Sequence, residues 1–212
     1  MPENDFPVDV QSPTALPEID AACWTHLNHA VHASSAPWRL PSLATQAGDS
    51  LNQRTVVLRD VDGVRRLLIF HTDVRSGKVS DIRQHAEVSL LFYDPAIRVQ
   101  VIARGTAAIH TDDDYADQLW SESAPASLKM YLGHLPPGSI SARPDCNEPE
   151  SVRGCVPEQG EIQAGRCNFA VIVVSISELE WLQLSRDGNY RARFIYRRDD
   201  DTIRNEGQWL IP

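Results

Sequence analysis

A chain of 212 residues is long enough to bury one substantial core and leaves little room for a second full domain. Its formal net charge of −9 argues against a general nucleic-acid-binding protein, because phosphate backbones select clustered lysine and arginine. No run approaches the roughly 20 apolar residues of a membrane span, and the start MPENDFPVDVQSP lacks the basic and apolar regions of a signal peptide. We therefore predict a cytoplasmic protein with no nucleic-acid or membrane partner.

The N-terminal region divides into an arm and a helix. Residues 1–17 contain prolines and acids without periodicity, which predicts a flexible arm, and residues 18–212 then form the single domain. The stretch PEIDAACWTHLNHAVHAS predicts an amphipathic helix, because apolar residues recur on one helical stripe: Ile19, Cys23, Leu27, Ala30 and Val31.

Histidines and cysteines are the residue types of this chain that could bind a metal. His26, His29 and His32 follow one another at three-residue steps, but no carboxylate or cysteine has a matching spacing. This pattern favours a solvated or partly packed helix face, and we predict no metal site. The cysteines, which include no C-x-x-C pair, favour free thiols over a disulfide or a metal site: Cys23, Cys146, Cys155 and Cys167.

In the next region the apolar pattern changes to the period of two that is typical of strands. RTVVLR and LLIFHT are separated by DVDGVRR, whose Asp-Gly pair indicates a hairpin. SGKVSDIRQHA predicts a short helix that begins at Ser76. EVSLLFYD and IRVQVIARGTAAIH then predict two more strands around a DPA turn.

The C-terminal third begins with an irregular insertion. Residues 134–166 are rich in proline, glycine and serine, and a connection of this length is either functional or mobile. NFAVIVVSISELEWLQL, YRARFIYRR and IRNEGQWLIP then return to strand character. With four or more strands before the insertion, about three after it and helices at the margins, we predict a mainly β fold, a small antiparallel barrel of six to eight strands.

The stretch FHTDVRSGK, residues 70–78, offers the donors that a phosphate group requires. Thr72 ends a strand, Ser76 opens a helix, and Lys78, one of two lysines in the chain, lies in the first helical turn. Arg54 begins a neighbouring strand that reaches the same end of the barrel. Spacing alone leaves ordinary hairpin charges as the alternative.

Gln100 is a second polar residue of interest, because it alternates with Val99 and Val101 in a predicted strand. It either faces water or presents an amide donor and acceptor to a heteroaromatic ligand.

These segments together resemble a known family. RTVVLR, FHTDVRSGK, VSLLFYDP, RVQV followed by Gly105, and RARFIYRR are similar, in this order, to the flavin-binding split barrels of the pyridoxamine 5'-phosphate oxidase family. The resemblance covers residues 37–212 and is strongest to an oxidase-related branch. It implies an FMN-binding split β-barrel and a homodimer with the flavin at the subunit interface.

The resemblance also implies a cofactor site, residue by residue. It assigns Arg54 to the flavin phosphate and ribityl chain, and the backbone of Thr55, Val56 and Val57 to the flavin ring. His71 and Thr72 stand where the family has a Tyr-Thr or similar pair, and Ser76 and Lys78 stand at its phosphate-binding positions. Gln100 is assigned to the isoalloxazine edge, and Arg193 to an arginine that reaches the flavin from the second subunit.

Departures from the family pattern concern both the flavin phosphate and the substrate. In the flavin-phosphate motif, Ser76-Gly77-Lys78 stands where the family has Ser-Arg-Lys, so one cationic contact is missing. Among the residues that hold the substrate's own phosphate, Arg59 stands where the family has a lysine, Ala124-Pro125 where it has an Arg-Pro pair, and Asn189-Tyr190-Arg191 where it has an Arg-x-His motif. Losing a bidentate phosphate ligand weakens substrate recognition, so these changes favour retained flavin binding over pyridoxamine phosphate oxidation. Arg59 and Arg191 are then candidates for binding a different anionic substrate.

The function predicted from the sequence is that of an FMN-dependent oxidoreductase acting on an unidentified small molecule. A first alternative is a non-catalytic flavin- or haem-binding module for storage or sensing, with His26, His29, His32 and His134 as conceivable haem ligands. A second is a reductase that uses a deazaflavin, for which the same cationic cluster is suitable.

Overall fold

The computed structural model describes residues 6, 8–12, 14–199 and 202–212, and within these residues nine strands form one antiparallel sheet with helices at its margins. The helices are α1 (Ala15–His32), α2 (Gly77–Gln84), α3 (Asp114–Glu122), α4 (Pro125–Leu128) and α5 (Gln159–Ile162). The strands are β1 (Ser42–Ala47), β2 (Ser50–Thr55), β3 (Leu58–Asp62), β4 (Leu67–Asp73), β5 (Glu87–Asp94), β6 (Val99–His110), β7 (Phe169–Gln183), β8 (Tyr190–Asp199) and β9 (Thr202–Leu210).

The sheet divides along its longest strand, β7. The strand order is β2-β1-β5-β6-β7-β4-β3, and β8 also pairs with β7 and carries β9 on its other side. Residues 169–175 of β7 pair with β4, whereas residues 178–183 pair with β8. β6 pairs with both of these segments of β7, while the partner on the other edge of β7 changes from β4 to β8. The single sheet therefore opens into the two halves of a split barrel.

The division requires a close approach between two backbones at Gly105. The β6–β7 register shifts between Arg104 and Gly105, which leaves Ser177 as the extra residue of a β-bulge. A Cβ atom at Gly105 would lie 2.1 Å from the carbonyl oxygen of Ser175. A glycine is therefore needed at this point of β6, opposite the bulge in β7.

The barrel interior and α1 form the main core. Ile19, Cys23 and Leu27 of α1 have no exposed surface, and Ala30 is also buried, which confirms the predicted amphipathic helix. His26 stacks on the buried Phe6 ring at 5.4 Å between ring centroids. In the described part of the chain, no helix combines the length and the apolar character needed to cross a membrane.

A second, smaller core covers the other face of β4 and the first half of β7. It packs α3, α4 and α5 against the sheet through buried side chains: Ile69, Ala116, Trp120, Leu128, Tyr131, Ile162, Phe169 and Val171. The start of α2 and the end of β4 lie beside this core, and they carry the polar residues described below.

Three boundaries differ from those expected from the sequence. The run RTVVLR is not one strand: β2 ends at Thr55, β3 begins at Leu58, and this break contributes to a count of nine strands instead of six to eight. A β-branched apolar run favours strand conformation throughout and carries no signal for such a break.

The arm and the insertion also differ in detail. α1 begins at Ala15, three residues before the predicted domain start, and Phe6 is buried, so these parts of residues 1–17 are packed and are not a loose arm. Residues 1–5, 7 and 13 of the predicted arm lie outside the described residues. The insertion 134–166 contains short helical segments, with a turn at Glu150–Val152, α5, and the start of another turn at Gln163–Asn168.

Candidate functional site

Thr72, Ser76 and Lys78 form a cluster that we call the hydroxyl–lysine corner. The Lys78 amine donates to the Thr72 Oγ1 atom at 3.1 Å and to the Ser76 Oγ atom at 3.2 Å, and the two hydroxyl oxygens are 3.2 Å apart. Ser76 is the N-cap residue of α2, but its side chain makes no capping bond and is held in the corner. The nine-residue stretch thus brings the predicted donors together, because β4 ends just before α2 begins.

The charge of Lys78 has no carboxylate partner among the residues that the structure describes. Asp73, at the end of β4, is paired with Arg75, with 2.7 Å between the Arg75 Nη2 and Asp73 Oδ2 atoms, and Asp81 of α2 is paired with Arg54. Within the described ranges, no carboxylate oxygen lies within salt-bridge distance of the Lys78 amine. Burial and then the neighbouring Arg54 charge lower the pKa of Lys78. A half-buried amine that contacts hydroxyl groups is suited to binding an anion.

Arg54 stands beside the corner and is held by α2 and β1. Its Nη1 atom donates to the Thr45 Oγ1 atom at 2.6 Å, and its Nη2 atom lies 3.5 Å from the Asp81 Oδ2 atom. The guanidinium keeps part of its surface open, with 24% of the side chain exposed. Arg54 and Lys78 therefore supply two cations to one end of a cleft.

That cleft has a volume of about 230 Å³. Its walls combine residues from β2 and the position after it, from β4 and from α2 with residues from the segment after α4: Arg54, Thr55, Val56, His71, Thr72, Asp73, Lys78, Met130, Tyr131 and Pro137. Binding sites for whole small molecules measure about 300–1,000 Å³, so this cleft alone is suited to part of a nucleotide-sized cofactor. Val57 is half-buried beside it, and the Val56 amide donates to the Pro41 carbonyl at 3.0 Å.

His71 and Tyr131 line the cleft and rest on the same buried ring. The centroid of the Phe169 ring lies 4.9 Å from that of His71 and 5.1 Å from that of Tyr131. Burial and then the charge of Arg59 lower the pKa of His71 to about 4, and burial raises the pKa of Tyr131. At neutral pH both side chains are uncharged, so the cations of the cleft are not opposed by an anion from this wall.

Tyr131 and Asp81 belong to the site although the sequence did not single them out. Tyr131 lies in the turn Lys129–Leu132, where no periodic pattern marks a buried face. Its position depends on distant contacts, since Asn168 donates to the Tyr131 carbonyl at 2.8 Å. The only indication in the sequence was that Tyr131 is an aromatic residue just before the irregular insertion, and no sequence pattern linked Tyr131 to β7.

Gln100 and Arg191, which were also predicted as site residues, lie far from the cleft of the same chain. Gln100 is opposite Leu182 of β7, and Leu182 is opposite Arg191 of β8, so these residues share the far half of the sheet. His71 pairs instead with Val171, eleven residues before Leu182 along β7, which is roughly 35 Å along the strand.

The arginines predicted for the substrate and the second subunit have distinct surroundings. Arg191 donates twice to the buried Glu180, at 2.7 and 3.1 Å, so it is not the free cation that the sequence suggested. Within the described residues the buried Nε atom of Arg193 has no hydrogen-bond partner. Arg59, near the start of β3, is half-buried, its pKa is lowered by burial, and its charge acts on both His71 and Tyr131.

Comparisons with known proteins show which family part of the chain resembles. The family described as pyridoxamine 5'-phosphate oxidase, FMN-binding domain, matches residues 21–111. A pyridoxine/pyridoxamine 5'-phosphate oxidase from Kineococcus radiotolerans is 36% identical over 96 residues, which amount to 45% of this chain and 40% of that protein. The match thus spans less than half the length of that curated relative.

Solved structures extend the likeness to the whole fold. A pyridoxamine 5'-phosphate oxidase-related, FMN-binding protein from Nostoc punctiforme has a TM-score of 0.65 at 22% identity, over 95% of this chain and 98% of that protein. PhzG from Burkholderia lata, solved in complex with tetrahydrophenazine-1-carboxylic acid, has a TM-score of 0.62 at 20% identity, over 97% and 99% of the two chains. At these identities the likeness shows the split-barrel fold.

Proposed function

We propose that this chain, whose residues 21–111 match the family of pyridoxamine 5'-phosphate oxidase FMN-binding domains, is an FMN-binding oxidoreductase acting on a small molecule. The observation that carries the proposal is the Lys78 amine, which is half-buried and bonded to two hydroxyl groups. The phosphate of FMN has the charge and the acceptor atoms that complete this set of donors. When bound, FMN supplies the redox chemistry through its flavin ring.

The residues of the cleft have separate tasks in this proposal. Lys78 and Arg54 bind the phosphate, and Thr72 and Ser76 add hydroxyl donors that also orient the Lys78 amine. His71 is uncharged at neutral pH and presents a hydrogen-bonding ring beside the flavin without adding a charge. Met130 and Pro137 contribute apolar surface that excludes water from the cleft.

A homodimer with the flavin between subunits is the assembly that best unites the predicted residues. Gln100 of β6 and Arg193 of β8 pair with the end of β7 that is far from His71. In addition, the cleft of one chain is small for a whole cofactor. A second copy would bring its own Gln100 and Arg193 to the cleft. An open groove of about 420 Å³ on the sheet surface and the 77% exposed Leu51 beside it support such a contact.

The proposed substrate is a small organic anion that reaches Arg59, which is near the cleft residues His71 and Tyr131 but does not itself line the cleft. Arg59 is half-buried and near His71 and Tyr131, and it has no carboxylate within salt-bridge distance among the described residues. PhzG, which shares the fold, was solved with a carboxylic acid, and a carboxylate is the kind of group that Arg59 would bind. Arg191, held by Glu180, is left out of this role.

Absorption spectra and titrations test the cofactor. We expect purified protein to show bound flavin, or to bind added FMN with quenched flavin fluorescence, and to bind riboflavin about tenfold or more weakly, because riboflavin lacks the phosphate. A protein that takes up no FMN would refute the proposal, and a haem or deazaflavin spectrum would favour the alternative cofactors.

A mixing experiment tests the dimer. Lys78→Met and Arg193→Met each remove one side of the site, and each variant alone should bind FMN weakly. If one flavin contacts Lys78 from one subunit and Arg193 from the other, a heterodimer of the two variants retains one intact site. About a quarter of all sites should then bind FMN with native affinity after random subunit exchange, whereas no recovery would place both residues in the same chain's site.

A further inference from the structure

The position of Arg54 is not set by apolar packing. Its strand, β2, lies at the edge of the sheet and is paired with β1 alone among the described strands. Every residue of β2 except Arg54 is exposed, and Arg54 itself is half-buried. An edge strand with so little buried surface needs another restraint to hold a side chain in one place.

Polar bonds to Asp81 provide that restraint. Thr45 Oγ1 and Asn52 Nδ2 donate to the same Asp81 Oδ2 atom at 2.7 and 3.0 Å. Arg54 joins them through its 3.5 Å contact with that oxygen and its 2.6 Å bond to the Thr45 hydroxyl. Asp81 is 9% exposed, so these contacts are shielded from water.

Asp81 and Lys78 are carried by the same helix, one turn apart on α2. We propose that Asp81 is a positioning residue that fixes Arg54 at a set distance from Lys78, and so builds the pair of cations that the cofactor phosphate requires. This inference rests on the proposed FMN site. It adds a role for a side chain that lies behind the cleft and does not line it.

Charge and position make opposite predictions for Asp81. As a negative charge next to two cations, Asp81 opposes the binding of an anion, and its removal would strengthen FMN binding. As a restraint on Arg54, it favours binding, and its removal would weaken FMN binding. The direction of the change on substitution therefore identifies the dominant effect.

Two substitutions separate the effects. Asp81→Asn removes the charge but keeps a carbonyl oxygen, and all three donors converge on one oxygen atom, so the amide can still accept from them. Asp81→Ala removes both the charge and the acceptor. Asp49→Asn is the matched control, because Asp49 is an exposed acid in the turn that joins β1 to β2.

FMN and riboflavin dissociation constants, measured by flavin fluorescence, give the decisive comparison. We expect Asp81→Ala to weaken FMN binding about tenfold or more, Asp81→Asn to stay within about threefold of the unmodified chain or bind more tightly, and riboflavin binding to change less than about twofold in each. Asp49→Asn should bind both ligands as the unmodified chain does. Asp81→Ala binding FMN as tightly as the unmodified chain, or Asp81→Asn binding as weakly as Asp81→Ala, would overturn the inference.

A cofactor-free measurement separates this inference from the proposed function. Amide hydrogen exchange of β2 should be faster in Asp81→Ala than in Asp81→Asn, because the restraint on β2 exists without ligand. Equal exchange in the two variants contradicts the positioning role, even if the unmodified chain binds no FMN. If Asp81→Ala does not fold, Thr45→Val is the second variant, because it keeps Asp81 but removes the hydroxyl group that bridges Asp81 and Arg54. It should also speed amide exchange in β2 and weaken FMN binding. Unchanged exchange in this variant would argue against the inference.

Discussion

Two polar clusters stand at opposite ends of β4, and they differ in whether their charges are paired. One includes Arg66, directly before the strand, and the other includes Thr72, near its end. Six residues separate the two positions, which is roughly 20 Å along the strand. The same strand therefore supports both clusters, and their chemistry can be compared directly.

The Asp20 cluster, formed by Asp20, Trp24, Arg66, Tyr196 and Asn205, is fully bonded. Asp20 accepts from Arg66 at 2.8 Å, from Asn205 at 2.7 Å and from the Tyr196 hydroxyl, which accepts in turn from Trp24 at 2.9 Å. The Arg66 guanidinium also lies over the rings of Trp24 and Tyr196, 4.7 and 4.8 Å from their centroids. These bonds tie α1 to the end of the β3–β4 turn and to the closing hairpin.

The hydroxyl–lysine corner has the opposite character. Lys78 donates to two hydroxyl groups, and its charge has no acidic partner among the residues that the structure describes. A paired buried charge maintains the architecture, whereas an unpaired one lowers stability until an anion binds. The contrast predicts that one cluster governs unfolding and the other governs cofactor affinity.

The largest effect is expected at Arg66. Arg66→Met leaves the Asp20 carboxylate buried without its cation, and loss of one partner of a buried ion pair costs about 3–5 kcal/mol of unfolding free energy. Urea unfolding should record this loss while the FMN dissociation constant of the folded protein stays unchanged.

Arg65→Met is the control for that prediction. Arg65 is the neighbouring residue, its side chain is 75% exposed, and its contact with Asp62 is 3.9 Å long, so its loss should cost less than about 1 kcal/mol. If the two variants were equally stable, the Asp20 cluster would not be the structural element that its bonds indicate.

Lys78→Met should have the reverse signature. Removal of a charge-assisted hydrogen-bond donor should weaken FMN binding by about 1.5–3 kcal/mol, or roughly 10- to 100-fold, and leave riboflavin affinity unchanged. The unfolding free energy of the cofactor-free protein should not fall, because burial disfavours the charged amine in the folded state.

The other lysine provides the comparison for Lys78. Lys129 pairs with Glu148 at 3.2 Å outside the corner, and Lys129→Met should leave FMN affinity intact. A Lys78→Met variant that loses stability as well as affinity would show that the amine maintains the fold and would remove the contrast between the clusters.

The helix α1 and the hydroxyl–lysine corner were predictable from sequence, for physical reasons that differ between the two, whereas the Asp20 cluster was not predicted. α1 was predicted because its apolar side chains repeat at helical spacing, and that spacing is enough to define the buried face. The hydroxyl–lysine corner was predicted because Thr72, Ser76 and Lys78 lie within seven residues of one strand–helix junction. Because these three residues are close in sequence, they are also close in the folded structure.

Residues that depend on distant contacts were not predictable in this way. Tyr131 reaches the cleft because Phe169 and Asn168 support it from the start of β7, and no periodic pattern connects these segments. Asp81 was part of a predicted helix, but its bond to Asn52 requires the packing of α2 against the first hairpin. Arg191 carried a charge suited to substrate, and only the register of β7 with β8 places it against Glu180.

The smallest effect concerns pH and arises at His71. The pKa of His71 is about 4 in the folded chain, against about 6.5 when unfolded, because burial and the Arg59 charge disfavour its protonated form. The unfolded state therefore binds an extra proton between these two values. The stability contributed by this residue is complete above pH 6.5 and is lost as the pH falls toward 4, by about 2 kcal/mol between pH 6.5 and 5.

His71→Gln removes this proton uptake, so its unfolding free energy, measured with urea at several pH values, should fall less steeply below pH 6.5. A part of the slope should remain, since burial also lowers the pKa of His26. His134→Gln, at an exposed position, should retain the full slope. Asp20 acts in the opposite sense, because burial raises its pKa and the stability that its protonation provides is lost as the pH rises above 3.8. Identical pH profiles for His71→Gln and the unmodified chain would mean that the cleft does not hold His71 uncharged, and the cationic character assigned to this end of β4 would then need a different account.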